Sequence, residues 1–195
     1  MPNPLTEETI QTVLTANGKR RFPLFPAAIV VFIIDEQERF LLLSSPKRDG
    51  LWEVVNGGLD ASETLLEGAL RETREEAGEQ VKVKPLGVFH ASSFHYDENV
   101  KWMISICFLC QYLGGKIEPG DDMRGSRHQF LTIEQIREQR LNLLVPGKHT
   151  WLFERALQSF HAWKNDDVTL QPELVGPIRN KYARVQSSKD SEKAQ

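Results

Sequence analysis

Two apolar, β-branched runs, Ala27–Ile34 and Phe40–Ser44, are split by the polar tetrad Asp35-Glu36-Gln37-Glu38. Runs of this kind predict strands, and the polar break predicts the turn of a hairpin. Trp52–Val55 predicts a third short strand, closed by Asn56-Gly57-Gly58. Past these glycines the spacing becomes helical: Leu66, Ala69, Leu70, Thr73 and Ala77 fall on one helix face. Thr64 with Glu67 three residues on forms a capping box at the start, and Gly78 supplies a stop. Val81–Phe89 and Trp102–Tyr112 predict two more strands, separated by the polar loop His90–Lys101. The second is apolar on both faces and is expected to be interior. The turn-rich stretch Gly114–Gly125 leads to a short strand, Gln129–Leu131, and Thr132 with Gln135 caps a short helix. Leu152, Ala156, Phe160 and Trp163 predict a final amphipathic helix.

The ends are less patterned. Asn3-Pro4 resembles a helix start, Leu5, Ile10, Val13 and Leu14 form a weak stripe, and Gly18 is a stop, so an N-terminal helix is expected. Large apolar residues thin out beyond Asn165, and Ser187–Gln195 reads as disordered. The expected organisation is an arm or helix over 1–24, one domain over 25–165 and a partly disordered tail over 166–195. Strands and helices alternate irregularly, with hairpin signals beside longer crossovers. That predicts an α+β fold: a mixed β-sheet covered by helices on both sides, an α/β/α sandwich.

Composition narrows the function classes. The chain has 195 residues, 40% hydrophobic and 26% charged, an ordinary globular mixture. Its longest near-continuous apolar run, Leu24–Ile34, falls far short of the about 20 residues of a bilayer span. The acidic, polar start MPNPLTEETI is unlike a signal peptide. A net charge of −3 gives no general attraction to nucleic acid or an acidic membrane. Cys107 and Cys110 stand three apart on a predicted strand and so face opposite sides, unable to pair or to chelate together. Buried thiols in a reducing, cytoplasmic compartment are expected.

The distribution of charge is uneven. Asp60–Glu79 holds seven acidic residues against the two basic residues Arg71 and Arg74. Glu72, Glu75 and Glu76 sit at i, i+3 and i+4, on one face of the predicted helix and in its last turns. The macrodipole is negative at that end, so each anion there costs about 0.3–1 kcal/mol at an exposed site. Two readings follow from spacing alone: a solvated acidic face, or a site for a hard divalent cation that turns repulsion into shared attraction.

A longer pattern separates them. Gly57, Glu63, Arg71, Glu72, Glu75, Glu76 and Gly78 stand as G-x5-E-x7-R-E-x2-E-E-x-G. This resembles the signature box of the Nudix hydrolases. At about 6–7% usage per residue type, seven fixed positions arise by chance on the order of once in a million chains this long. Weaker similarity covers about residues 25–160, including Trp52 leading into Gly57-Gly58 and the Phe130–Thr132 step. The chain departs from the pattern at Asn56, Thr73 and Glu79, which bears on the loop and the helix end rather than on any presumed ligand.

The resemblance implies a hydrolase that uses Mg2+ or Mn2+ to cleave the pyrophosphate linkage of a nucleoside diphosphate joined to another moiety. The ion's ligands would be Glu72, Glu75, Glu76 and the Gly57 carbonyl. Glu63 and Arg71 would orient them, and Glu75 or Glu76 would take a proton from water, with Glu118, Asp121 and Asp122 as further candidates. Lys47 and Arg48 would meet the distal phosphate. Tyr96, 17 residues past Glu79, matches a tyrosine often found in dinucleoside polyphosphate hydrolases and would stack on a base. The ADP-ribose group tends to carry a proline there instead, and none occurs between Leu86 and Glu118. The partner expected is a small nucleotide-type molecule rather than nucleic acid or membrane, with a homodimer compatible. The alternative is a catalytically silent nucleotide-binding module on the same fold. A diphosphate isomerase would need cysteine and glutamate positions that Cys107 and Cys110 do not supply.

Overall fold

The structure is a computed structural model and describes residues 12–165 apart from 16, 45, 47–49, 62, 121–122 and 145–149. It begins with two short strands, β1 (Thr12–Leu14) and β2 (Arg21–Pro23), paired antiparallel with Val13 opposite Phe22. Over these residues the expected helix is therefore a hairpin. The Gly18 N–H donates to the Thr15 carbonyl, which folds the chain back and gives β-branched Thr12 and Val13 a partner strand. The remainder of that expected helix, and the tail from 166 onward, lie outside the described residues.

Strands β3 (Ala27–Ile34) and β4 (Phe40–Ser44) coincide with the two apolar runs. Asp35 closes their turn, its carboxylate accepting the Gln37 and Arg39 N–H groups and pairing with the Arg39 guanidinium. The expected strand Trp52–Val55 is instead two, β5 (Leu51–Glu53) and β6 (Val55–Gly58). The chain changes partner at Val54: β5 pairs with β4, whereas β6 lies along β3 with Gly57 opposite Ile29.

Helix α1 (Leu65–Glu72) starts at the Thr64/Glu67 capping box, formed in both directions. It does not continue as α-helix to Ala77. Thr73–Ala77 is a π-helical turn. The Thr73 hydroxyl bonds the Ala69 carbonyl at 2.7 Å, the back-bonding that loosens and bends a helix, at the residue where the winding widens. Gly78 then ends the segment at φ 125°, with the Glu118 backbone 2.9 Å from where a Cβ would stand.

Next come β7 (Lys82–Phe94), β8 (Met103–Gly114), β9 (His128–Leu131), α2 (Ile133–Glu138), β10 (Asn142–Leu143) and α3 (Thr150–Trp163). Strand β7 is longer than its apolar stretch predicts: His90–Phe94 continue the ladder with β8 instead of opening the loop. The main sheet runs β10-β5-β4-β3-β8-β7, with β6 on β3 and β9 on β4. Its β3–β8 pair is parallel and interior, while β4, β6, β7 and β9 pair antiparallel. Even-numbered residues of β3 (Val30, Phe32, Ile34) pack under α2 and α3, and odd-numbered ones (Ile29, Val31, Ile33) pack against Ala69 and Ala77. This is the expected α/β/α sandwich on a mixed sheet.

Cys107 falls in the cluster under α3 and Cys110 in the opposite one. Burial pushes the Cys107 thiol up to about 11 and the Cys110 thiol up to about 12. A raised pKa starves the reactive thiolate near neutral pH. Iodoacetamide at neutral pH should therefore leave both cysteines unmodified in the folded protein and label both in urea, read by intact mass. Labelling of the native protein would contradict their placement.

Candidate active site

The acidic window closes around one cation. Arg71, in the last turn of α1, turns back over the glycine strand and its guanidinium is fully used. Nε and Nη2 hold both oxygens of Glu63 at 3.0 and 2.7 Å. Nη2 also donates to the Gly58 carbonyl at 2.8 Å, and Nη1 bridges Glu72 and Glu75 at 2.7 and 2.8 Å. Glu63 in turn accepts the Asp60 N–H, so the loop after β6 is tied to the helix through one side chain.

Glu72 lies in a notch that only glycine leaves. A Cβ on Gly57 would stand 2.1 Å from Glu72 Oε1, so the carboxylate occupies the space of the missing side chain against β6. Glu76 reaches the same strand one residue earlier, its Oε2 accepting the Asn56 N–H at 2.8 Å. Glu72 is 6% and Glu76 7% exposed, whereas the Glu75 side chain reaches solvent. The π-helical turn carries Glu75 and Glu76, so the two project from a wider winding than the α-helical spacing assumes.

Burial raises the Glu72 carboxyl, opposed by its bond to Arg71. The bidentate Arg71 contact lowers Glu63, the reverse direction for a carboxylate on the same guanidinium. Arg71 itself is raised by its carboxylate partners and stays charged. Glu72 and Glu76 are thus buried acids held against one strand, Glu72 paired with Arg71 and Glu76 on the Asn56 N–H.

That donor set fits a hard divalent ion. It consists of carboxylate oxygens, and two of the three carboxylates, Glu72 and Glu76, are sheltered from water while Glu75 reaches it. Among the described residues no three His, Cys, Asp or Glu side chains already converge as a finished metal cage. Arg71 Nη1 stands between Glu72 and Glu75 as the positive charge there.

The other expected residues divide. Lys47, Arg48, Asp121 and Asp122 lie outside the described residues. The Glu118 side chain is exposed and paired with Lys116 at 3.2 Å, while its backbone N–H donates to the Ala77 carbonyl at the end of the acidic turn. Tyr96 lines a pocket of about 660 Å3 on the α3 side of the sheet, its ring 6.3 Å from Phe94. Asn56 also lines this pocket, so the pocket opens next to the strand residue that binds Glu76.

Three residues were not foreseen. Glu53 is 7% exposed and bonds the Asn56 side-chain amide. A glutamate between Trp52 and Val54 in an apolar strand was the available signal. Asn56 supplies a backbone donor that the β3 ladder does not use. His90 lines the pocket from β7 because the strand runs further than its apolar residues.

The family model described as NUDIX domain matches residues 23–152. An ADP-ribose pyrophosphatase of Methanocaldococcus jannaschii is 28% identical over 75% of this chain and 80% of that protein. An NAD-capped RNA hydrolase of Photobacterium profundum is 27% identical over 59% of this chain, which spans only 41% of that protein. Among solved structures, an ADP-ribose pyrophosphatase from Streptococcus suis superposes with a TM-score of 0.55 at 20% identity, covering 74% of this chain and 95% of that one, a likeness of fold. The chain belongs to the Nudix hydrolases and is a pyrophosphohydrolase of nucleotide-linked substrates.

Proposed function

We propose that this enzyme cleaves a nucleoside diphosphate joined to a sugar, using Mg2+ or Mn2+ held by Glu72, Glu75, Glu76 and the Gly57 carbonyl. The observation that carries it is the pair of buried carboxylates, Glu72 and Glu76, fixed against the glycine strand with Arg71 as counter-charge. Nudix hydrolases generally use divalent metals, and the relative named an ADP-ribose pyrophosphatase supports the sugar-linked substrate. The presence of Tyr96 in the pocket favours a second reading, a dinucleoside polyphosphate, with a base stacked on that ring.

When bound, a divalent ion neutralises phosphate oxygens and acidifies water. The chain's own residues do the rest. Glu63 and Arg71 hold the Gly58 carbonyl and the helix in one register, so the ligands are oriented before substrate arrives. Asn56 N–H fixes Glu76, leaving it a ligand. Glu75 reaches solvent and accepts the proton of the attacking water. The uncharged end of the substrate occupies the pocket beside Asn56.

The test is a panel of ADP-ribose, a UDP-sugar and a diadenosine polyphosphate, each with Mg2+ or Mn2+, scored by released products. Nucleoside monophosphate plus phosphorylated sugar is expected. No hydrolysis of any member with either ion would overturn the reading. Gly57→Ala tests the notch separately: its Cβ displaces the Glu72 carboxylate. Turnover should fall about 100-fold, because a displacement near 1 Å is enough for that. The melting temperature should hardly move, since the displaced atoms are a side-chain tip.

A further inference from the structure

The pocket beside Asn56 carries no Asp, Glu, Lys or Arg among its described lining residues. Its walls are neutral donors and acceptors, including Asn56, His90 and Ser105, with Tyr96 and Trp151 as aromatic surfaces. Among the described residues, such a wall suits a flat, uncharged, hydrogen-bonding group.

His90 is the one whose hydrogen-bonding state the structure fixes. Trp151 of α3 stands edge-on to it, centroids 5.1 Å apart. Arg155, one helical turn further along α3, has Nη1 3.2 Å from His90 Nδ1. A guanidinium has donors only and keeps its proton, so Nη1 donates and Nδ1 accepts. An imidazole accepting at Nδ1 is neutral and carries its hydrogen on Nε2. Burial and the same guanidinium both disfavour the imidazolium, in agreement with that assignment.

We propose that Arg155 locks His90 as an Nε2–H donor to an acceptor atom of the substrate's nucleobase, making His90 a specificity-determining residue of this enzyme. The proposal rests on the reading that the pocket holds the uncharged end of the substrate. His90 is then the binding group, and Arg155, exposed on α3, is a positioning residue that acts through it. Bases that offer an acceptor to this donor are preferred over bases that offer a donor there, because two facing donors leave both unpaired.

The experiment uses the full chain and two readouts. The first is steady-state kinetics on nucleoside diphosphate sugars that differ only in the base. His90→Ala should raise KM for the preferred base about tenfold with kcat unchanged, the size of one neutral hydrogen bond, and should shrink the preference between bases. His90→Gln, which keeps a side-chain N–H donor, should recover part of the loss. Arg155→Met should move KM in the same direction as His90→Ala, because the ring is then free to change tautomer. The second readout is calorimetric binding of AMP and UMP to wild type and His90→Ala, which needs no hydrolysis. Equal KM and equal nucleotide affinity in wild type and His90→Ala, with unchanged circular dichroism, overturns the proposal and leaves the hydrolase reading intact. Loss of all turnover on the panel in wild type defeats the hydrolase reading instead, and the binding arm still decides the role of His90.

Discussion

Glu76→Gln is expected to lower hydrolysis by about 10^3-fold, equivalent to ~4 kcal/mol of barrier, in a protein that still folds. The change keeps the side chain's shape and one oxygen, so the bond from the Asn56 N–H can persist. What is lost is a negative charge in a volume that already holds buried Glu72. Without that charge the donor set attracts a dication less strongly and phosphate oxygens lose the compensation they need. Removing an anion from a crowded acidic site relieves repulsion, so the urea midpoint should stay level or rise. Single-turnover kinetics and urea unfolding on the same preparation separate the two effects. Full turnover in this variant would remove Glu76 from the site.

Arg71→Met is expected to damage both stability and activity. The guanidinium binds Glu63 with two nitrogens, Glu72 and Glu75 with a third, and the Gly58 carbonyl as well. Methionine fills similar volume but leaves Glu72 buried without its counter-charge. Stripping one partner from a buried ion pair costs about 3–5 kcal/mol, and the partial exposure of Arg71 puts this case at the low end, about 3 kcal/mol at neutral pH. The pH dependence has a definite sign. Glu63 is held below its ordinary 4.5 by Arg71, so its contribution is present above 4.5 and is lost as pH falls through the lowered value. Glu72 is raised by burial, so protonation relieves its cost as pH falls. Both effects narrow the gap between wild type and variant in acid. Urea unfolding at neutral pH and near pH 4 should therefore show a large difference at the first and a smaller one at the second. A gap that widens in acid would contradict the charge network.

The parts of the fold that sequence exposed are those set by local interactions. Ala27–Ile34 and Phe40–Ser44 are apolar on both faces because both faces of the sheet are covered, and their ends are marked by Asp35 and Ser44. The boxes at Thr64/Glu67 and Thr132/Gln135 close within four residues and need no tertiary partner. What escaped depends on partners far along the chain. Asn142–Leu143 is a strand only because Leu51 and Trp52 lie beside it. Thr12–Leu14 is a strand because of Arg21–Pro23, while its own pattern suits a helix equally. His90–Phe94 look like a loop since their polar side chains face a pocket rather than a core.

The site divides along the same line. Arg71, Glu72, Glu75 and Glu76 are close in sequence, so spacing brings them to one element without further information. The π-helical turn was not legible, because it depends on the Thr73 hydroxyl finding the Ala69 carbonyl. Neither was the contact between Asn56 and Glu76, which joins a strand to a helix end 20 residues away. Gly57 was expected as a carbonyl donor. The structure adds that its missing Cβ makes room for Glu72.

The central claim is that buried carboxylates on a glycine strand gather a divalent cation. Direct titration of Mn2+ into the 195-residue chain, followed by the loss of free-ion signal in electron paramagnetic resonance, tests it without reference to any substrate. Wild type should bind, and Glu72→Gln and Glu76→Gln should each weaken binding by at least about tenfold. Equal Mn2+ affinity in wild type and both variants would contradict the claim.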